Sequence, residues 1–265
     1  MVRAGHDGDA ETAAEAYDRL LVPAMMAPWA ARLADAARIA PGDRVLDVAC
    51  GTGALTGEAL RRVGLTGAVT GLDPNPEMLA VARRRVPEAD LREGRTEELP
   101  FADADFDVVT CSFGLMFFTD RGRALREMVR VLRPGGRLAL SVWADLPQSP
   151  AYSALVATIE RHAGAEAAAL VRAPFSLGDV PGLRALLGTV PLSAVEVSLV
   201  DEPTRFPSVA TWVAAEVEGW VRFAGAPAGD VTALLADAER TLSAYERPDG
   251  TAEFALPAII ATGRA

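Results

Sequence analysis

The chain has 265 residues, a mass of 27.8 kDa and 50% hydrophobic residues. This is enough apolar material for one sizeable core with a covering elaboration, and too much for a disordered chain. The 36 acidic residues outnumber the 26 arginines and give a net charge of −10. No nucleic-acid partner is expected, because that affinity depends on basic residues that release counterions. The chain has no lysine, which excludes a lysine Schiff base and a P-loop lysine.

Cysteine usage and the apolar runs indicate the setting of the protein. Cys50 and Cys111 are too few for a disulfide framework or a structural zinc site, so we expect a reduced, cytoplasmic setting. Residues 1–10 are expected to be a leader without the basic and then apolar order of a signal peptide. No membrane span is expected, because a span needs roughly 20 nearly uninterrupted apolar residues.

The first half of the chain alternates between two periodicities. Met25, Trp29, Leu33 and Ala37 share one face of a predicted helix. Short apolar runs then alternate with helical patterns. The predicted strands are Arg44–Ala49, Ala68–Leu72, Ala89–Glu93, Asp107–Ser112 and Arg137–Trp143, and the predicted helices between them are Leu55–Val63, Pro76–Val86 and Arg123–Leu132. Strands joined through helices pair in parallel, so the pattern predicts a doubly wound α/β sheet covered on both faces.

Local signals set several boundaries of these elements. Asn75 is a good N-cap with proline at the next position, and Asp120 can cap the helix that follows it. Pro134-Gly135-Gly136 is expected to stop that helix and to form a type II turn, with proline and glycine at the two central positions.

The alternation ends after Trp143. The predicted helices there are Ala151–Ala163, Pro181–Leu187, Ser208–Ala224 and Gly229–Tyr245, with an extended stretch over Ala194–Asp201. Glu253–Thr262 is predicted to be one final strand, with a bulge or edge at Pro257. The pattern divides the chain into N-terminal helices over 1–40, a ligand-binding core over 41–145, and a helical cap over 146–265 that also supplies the last strands of the same sheet.

A glycine turn marks the expected ligand crevice. Gly51 and Gly53 follow the first strand, so backbone can approach a ligand where a Cβ would collide. Asp73 ends the next strand, where a carboxylate can accept from both hydroxyls of a ribose, which predicts an adenosine-bearing ligand. The third close glycine of a dinucleotide site is missing, and Asp47 inside the strand opposes a pyrophosphate but suits a cation such as a sulfonium nucleoside with an ammonium group.

The segment from Val45 to Thr56 is similar to motif I of class I S-adenosylmethionine-dependent methyltransferases. The stretches 72–79, 94–101 with 106–109, and 132–138 resemble further motifs of that family in the same order. The resemblance covers roughly residues 40–145 and points to the subgroup of ubiquinone/menaquinone-biosynthesis and related small-molecule enzymes. It implies a Rossmann-like, mostly parallel seven-stranded sheet with N-terminal helices and a helical cap in the C-terminal half.

The resemblance also implies site residues. Asp73 would bind the ribose, Asp47 would act near the amino group, and Arg95 stands where relatives often have an acid on the adenine amino group. The full set implied for the cofactor is Asp47, Ala49, Gly51, Gly53, Asp73, Pro74, Asn75, Thr96, Glu97, Ser112 and Tyr17. The set expected to line the substrate pocket is Phe113, Phe117, Trp143 and Trp212. No metal is expected, since histidine is limited to two positions and Asp103, Asp105 and Asp107 lack the glycine and glutamate of a calcium loop.

The resulting expectation is methyl transfer from S-adenosylmethionine to a small, largely apolar acceptor, with S-adenosylhomocysteine as product. Positioning carries most of such a displacement, so no catalytic residue is assigned; His162 is a candidate general base. The alternatives are an S-adenosylmethionine-binding protein without transfer, a nicotinamide-dependent reductase, and a nucleic-acid methyltransferase, which the charge disfavours. The acceptor atom and the oligomeric state stay open.

Overall fold

The computed structural model describes residues 11–222, 225 and 229–265. The leader expected over 1–10 and the predicted helix end at Ala224 lie outside the described residues. The α-helices are α1 Ala13–Leu20, α2 Ala27–Ala36, α3 Ala54–Val63, α4 Pro76–Arg85, α5 Arg121–Arg130, α6 Pro150–Arg172, α7 Val180–Leu187, α8 Val209–Glu216 and α9 Val231–Thr241. Two π-helical segments, Val22–Met26 and Val217–Val221, follow α1 and α8.

Seven strands form one sheet in the order β3-β2-β1-β4-β5-β9-β6, and β7 pairs with β8 in a small second sheet. The strands are β1 Arg44–Val48, β2 Ala68–Asp73, β3 Asp90–Glu93, β4 Phe106–Ser112, β5 Leu132–Trp143, β6 Ser193–Val200, β7 Pro203–Phe206, β8 Ala252–Ala255 and β9 Ala258–Arg264. The first five strands of the order pair in parallel, whereas β9 is antiparallel to both β5 and β6. The predicted seven-stranded, mostly parallel sheet is confirmed.

Capping residues explain where several helices begin. The Asn75 side chain accepts from the backbone N–H groups of Glu77 and Met78, and the Asp120 carboxylate accepts from that of Arg123. Gly135 has a φ of +79°, the value that a type II turn requires at its second central residue. These local signals therefore act in the structure as the sequence predicts.

The C-terminal half differs from the prediction in its element boundaries. The stretch predicted as one final strand is split at Pro257, whose carbonyl accepts from the N–H of Ala144, so β8 joins the small sheet and β9 the large one. The break predicted after Ala163 is present at Gly164, with φ +86°, but a further helical stretch follows it to the end of α6. The predicted long helix from Ser208 is α-helical only to Glu216 and then continues in π geometry.

Helix α1 connects the core to the cap. Glu15 and Asp18 on this helix form ion pairs with Arg84 and Arg85 on α4 of the core. On its other side α1 packs on the second π-helical segment, where a Cβ at Gly219 would lie 3.2 Å from the Leu21 side chain. Within the described ranges, no helix is both long and apolar enough to cross a lipid bilayer.

Candidate cofactor and acceptor site

A cleft of about 440 Å³ opens where the central parallel strands end. This volume lies within the range of roughly 300–1,000 Å³ typical of small-molecule sites. We call it the sheet-edge cleft. Its lining includes Gly51 after β1, Asp73 at the end of β2 and Ser112 at the end of β4. The cleft therefore lies at the carboxyl ends of the strands, where open α/β sheets bind their ligands.

The turn after β1 keeps backbone close to this cleft. Gly51 has a φ of +54°, and a Cβ added to it would find no protein atom within 4 Å. That Cβ would occupy open space that belongs to the cleft, so glycine leaves room for a ligand against the backbone. Ala49 also has a positive φ, of 55°, a conformation that costs energy for a residue with a Cβ and that clusters at functional sites.

Asp73 is held at the rim of the cleft with a fixed orientation. Its Oδ2 accepts from the N–H of Gly51 and its Oδ1 from the N–H of Asn75, each at 2.9 Å. The residue is only 7% exposed, and burial raises the pKa of its carboxyl although both backbone donors favour the ionised form. Each oxygen keeps a second lone pair, so the carboxylate can accept two further hydrogen bonds from a ligand.

Asp47 lines a smaller recess beneath the glycine turn, together with Tyr17, Gly51 and Ser112. Its two oxygens accept from the hydroxyls of Thr56, at 2.8 Å, and Thr110, at 3.1 Å. Burial raises the pKa of this carboxyl to about 7, and no cation among the described residues offsets the lost hydration. A ligand ammonium group in the recess would favour the carboxylate form.

The loop after β3 forms the outer wall of the cleft. The carboxylate of Glu97 accepts from the backbone N–H of Thr119, at 3.1 Å, and so ties this wall to the loop after β4. Arg95 is exposed and lies 3.5 Å from the Thr119 hydroxyl. Arg95 and Glu97 therefore shape this wall, and the buried Thr96 between them also lines the cleft.

A second cavity, the aromatic chamber, adjoins the cleft and has a volume of about 50 Å³. Tyr17, Phe113, Phe117 and Trp220 line both cavities, so the two share a wall. The chamber is otherwise enclosed by Leu21, Met25, Met26, Trp143, Tyr152, Val171, Pro174, Phe175 and Glu216. Among the described residues, the wall is therefore apolar except for the hydroxyls of two tyrosines, the indole N–H groups of two tryptophans and one carboxyl group.

Stacked rings fix the shape of the chamber wall. Phe113 has a φ of +52° after β4 and stacks on Trp143 with ring centroids 3.9 Å apart. Trp29 of α2 meets both rings edge-on. The indole N–H of Trp220 donates to the carbonyl of Leu170 and so ties the second π-helical segment to α6.

Most of the residues expected at the cofactor lie around the sheet-edge cleft: Tyr17, Ala49, Gly51, Asp73, Pro74, Asn75, Thr96, Glu97 and Ser112. Gly53 instead turns its missing side chain toward α4, where a Cβ would lie 3.0 Å from Val86. Of the residues expected at the substrate, Phe113, Phe117 and Trp143 line the chamber, whereas Trp212 is 0% exposed and packs against Tyr152, behind the chamber wall.

His162 lies at neither cavity. Its Nε2 is 2.9 Å from the Asp237 carboxylate, which also accepts from Arg161. These hydrogen bonds and the neighbouring Arg240 lower the pKa of Asp237 to about 2. His162 therefore belongs to an ion-pair network between α6 and α9.

Sequence reasoning missed two polar residues of the chamber, Tyr152 and Glu216. The only local signal for Glu216 is an acid inside the apolar run from Val209 to Val221. In the part of the chain that the structure describes, no group of three or more metal-ligating residues is present. Cys50 and Cys111 are both unbridged and buried, and burial raises the pKa of each thiol.

Residues 46–140 match the model of a family described as a methyltransferase domain. The ubiquinone/menaquinone biosynthesis C-methyltransferase UbiE of Psychromonas ingrahamii is 44% identical over 116 residues, which are 42% of this chain and 46% of that protein. The demethylmenaquinone methyltransferase of Listeria welshimeri is 48% identical over 107 residues, which are 38% of this chain and 45% of that protein. The chain thus spans less than half the length of these curated relatives.

Solved structures share the fold over most of the chain. The YcgJ protein of Bacillus subtilis superposes with a TM-score of 0.60 at 22% identity, over 89% of this chain and 98% of that one. A putative methyltransferase of Bacillus halodurans gives a TM-score of 0.61 at 19% identity, over 89% and 97%. Residues 46–140 thus match a methyltransferase domain, and the chain shares the fold of these solved structures.

Proposed function

We propose that the protein transfers a methyl group from S-adenosylmethionine to a small, largely apolar acceptor. The observation that carries the proposal is the shared wall of the two cavities. A cleft with a buried carboxylate and an open glycine turn adjoins a chamber lined by aromatic rings. The names of the quinone-methylating relatives support an apolar acceptor of this kind. The free thiols of Cys50 and Cys111 favour the reduced cytoplasm as the setting.

In this proposal the chain's own residues hold the cofactor at three points. Asp73 accepts from the two ribose hydroxyls, the backbone at Gly51 lies against the methionine moiety, and Asp47 pairs with the ammonium group. Pro74 and Asn75 border the adenine. Bound in this way, S-adenosylmethionine supplies an electrophilic methyl group on a sulfonium.

The aromatic residues have two roles in the same proposal. Phe113, Phe117, Trp220 and Tyr17 exclude water from the wall between the cavities and orient the acceptor. Holding two reactants in line can contribute about 7–11 kcal/mol, whereas one positioned base adds roughly 10²–10⁴-fold. Positioning alone is therefore sufficient for a substantial rate, and we assign no base to His162.

Two of the alternative functions place different demands on the site. A nicotinamide-dependent reductase would need a turn that accommodates a pyrophosphate, but the buried Asp47 beneath the glycine turn opposes that charge. An S-adenosylmethionine-binding protein without transfer would bind the cofactor and lack a use for the aromatic chamber. The chamber is the observation that favours transfer over binding alone.

A binding and turnover experiment tests the proposal. Calorimetry should show binding of S-adenosylhomocysteine, and a fluorescence titration should show none of NADH. With S-adenosylmethionine and a panel of aromatic hydroxyl, amine and carbon acceptors, S-adenosylhomocysteine should accumulate with at least one of them. Binding of NADH in place of S-adenosylhomocysteine would overturn the assignment, and tight cofactor binding without product from any acceptor would favour the binding-only alternative.

A further inference from the structure

Among the described residues that line the aromatic chamber, Glu216 is the one with a carboxyl group. It is 4% exposed and ends α8, immediately before the second π-helical segment. The hydroxyl of Tyr152, on α6, donates to its Oε1. Among the described residues, that is the only hydrogen bond to this carboxyl, so Oε2 has no protein donor there. Buried carboxyl oxygens normally have a partner, and this one adjoins a cavity.

In the part of the chain that the structure describes, no positive charge compensates for the burial of Glu216. The titratable groups that interact with it are the phenols of Tyr17 on α1 and Tyr152 on α6, and both are held in the neutral form because burial raises their pKa. Burial likewise raises the pKa of Glu216 to about 7. A buried, uncompensated acid lowers the free energy of unfolding relative to an apolar side chain of similar size. Its presence in the wall of a cavity therefore points to a role in binding.

Both π-helical segments border the same chamber. The first contributes Met25 and Met26, and the second contributes Trp220 next to Glu216. A π-helical turn inserts an extra residue into a helix at some cost in hydrogen-bond geometry and occurs frequently at functional sites. Two of them at one cavity indicate that the wall of the chamber is built for a ligand.

We infer that Glu216 is the polar anchor of the acceptor: its Oε2 accepts a hydrogen bond from a neutral hydroxyl group that reaches into the chamber, while the otherwise apolar ring that carries this hydroxyl lies along the wall shared with the larger sheet-edge cleft. Tyr152 is a positioning residue that orients the carboxyl. This inference rests on the proposed function, because it takes the chamber to be the acceptor pocket. It adds a residue that selects among apolar acceptors by one hydrogen bond.

A hydroxyl group fits the chamber better than an ammonium group. A hydroxyl can donate to the carboxyl whether Glu216 is ionised or neutral, whereas an ammonium group needs the ionised form. An ammonium group would also lose its hydration in a chamber whose described lining offers one carboxyl and no further charged side chain, and this loss is costly for both ions.

Calorimetry with three simple probes tests the inference on protein saturated with S-adenosylhomocysteine. The probes are 2-naphthol, 2-methoxynaphthalene, which lacks the donor, and 2-(aminomethyl)naphthalene, which is cationic. The wild type should bind 2-naphthol about tenfold more tightly than the methoxy compound. This preference should fall below about threefold in Glu216→Gln and in Tyr152→Phe. It should persist in Glu218→Gln, the matched control two residues along, which is less buried and interacts with Arg19.

The pH profile separates an anchoring role from a merely structural one. Binding of 2-naphthol to the wild type should strengthen as the pH rises from 6 to 8, because the carboxylate that forms above about pH 7 is the stronger acceptor. The profile should be flat in Glu216→Gln. Tyr152→Phe retains the carboxyl group of Glu216, so the preference for 2-naphthol can be measured in this variant if Glu216→Gln is unstable.

Three results would overturn the inference: no preference for 2-naphthol in the wild type, an undiminished preference in Glu216→Gln, or tighter, Glu216-dependent binding of the amine. Failure of the proposed function is recognised separately, as the absence of S-adenosylhomocysteine binding in the first titration.

Discussion

Replacing Asp73 with asparagine tests the centre of the proposed cofactor site. Each carboxylate oxygen accepts one backbone N–H, from Gly51 and from Asn75, and each keeps a lone pair for one ribose hydroxyl. Asparagine has a single acceptor oxygen, so its NH₂ group must face one of the backbone donors and one of the hydroxyls. The substitution therefore removes one charge-assisted hydrogen bond to the protein and one to the ligand.

A hydrogen bond to a charged group contributes about 1.5–3 kcal/mol. We expect Asp73→Asn to bind S-adenosylhomocysteine about 10- to 100-fold more weakly and to lose a similar free energy of unfolding. Calorimetry well below the melting temperature measures the first effect, and urea unfolding measures the second. Glu93→Gln is the matched control, because Glu93 is an exposed acid that lies opposite Asp73 in register at the end of β3. Unchanged affinity in Asp73→Asn, or an equal loss in Glu93→Gln, would refute the reasoning.

Three other substitutions test neighbouring features. Gly51→Ala should lower the free energy of unfolding by only about 1 kcal/mol, because of the positive φ at this residue. It should nevertheless abolish S-adenosylhomocysteine binding, because the new Cβ occupies the space in which the ligand would lie against the Gly51 backbone; full affinity by calorimetry would contradict this. An ammonium group beside Asp47 should lower the pKa of this carboxyl from about 7, so cofactor binding should release protons near pH 7 and weaken as the pH falls. Calorimetry in two buffers of different ionisation enthalpy measures the proton release. Asp47→Asn should abolish both effects, and unchanged proton release in this variant would contradict the assignment. Gly178→Ala places a Cβ 2.0 Å from the backbone nitrogen of Asp145 and should cost about 3 kcal/mol in urea unfolding, with an unchanged midpoint as the opposing result.

The sheet was predictable because its signals are local. The strand, glycine turn and helix around Gly51, the N-cap at Asn75 and the turn at Gly135 are each set by residues a few positions apart. The split at Pro257 was not predictable, because a proline inside an apolar run is compatible with a bulge and only the pairing of distant strands shows that two sheets meet there.

The site was predictable to the same extent. Residues at strand ends, such as Asp73, follow from the topology of a parallel sheet. Glu216 does not, because its burial and its hydrogen bond depend on Tyr152, 64 residues away on another helix. Hydrophobic periodicity also cannot distinguish a π-helical segment from an α-helix, since the two differ by one residue in a turn. Trp212 lies on α8 with Glu216, but it packs against Tyr152 behind the wall of the chamber. Its helix alone does not show this, because the position depends on a contact with another helix.

The π-helical segment Val217–Val221 gives this part of the chain a tolerance to a change in length. Successive residues of an α-helix are rotated by about 100°, and a π-helical turn spreads nearly the same rotation over one residue more. Deleting one residue here would therefore restore an α-helical repeat and leave the later side chains, including the indole of Trp220 that donates to Leu170, close to their present directions relative to α8. The same deletion inside α8 would instead turn every later side chain by about 100°.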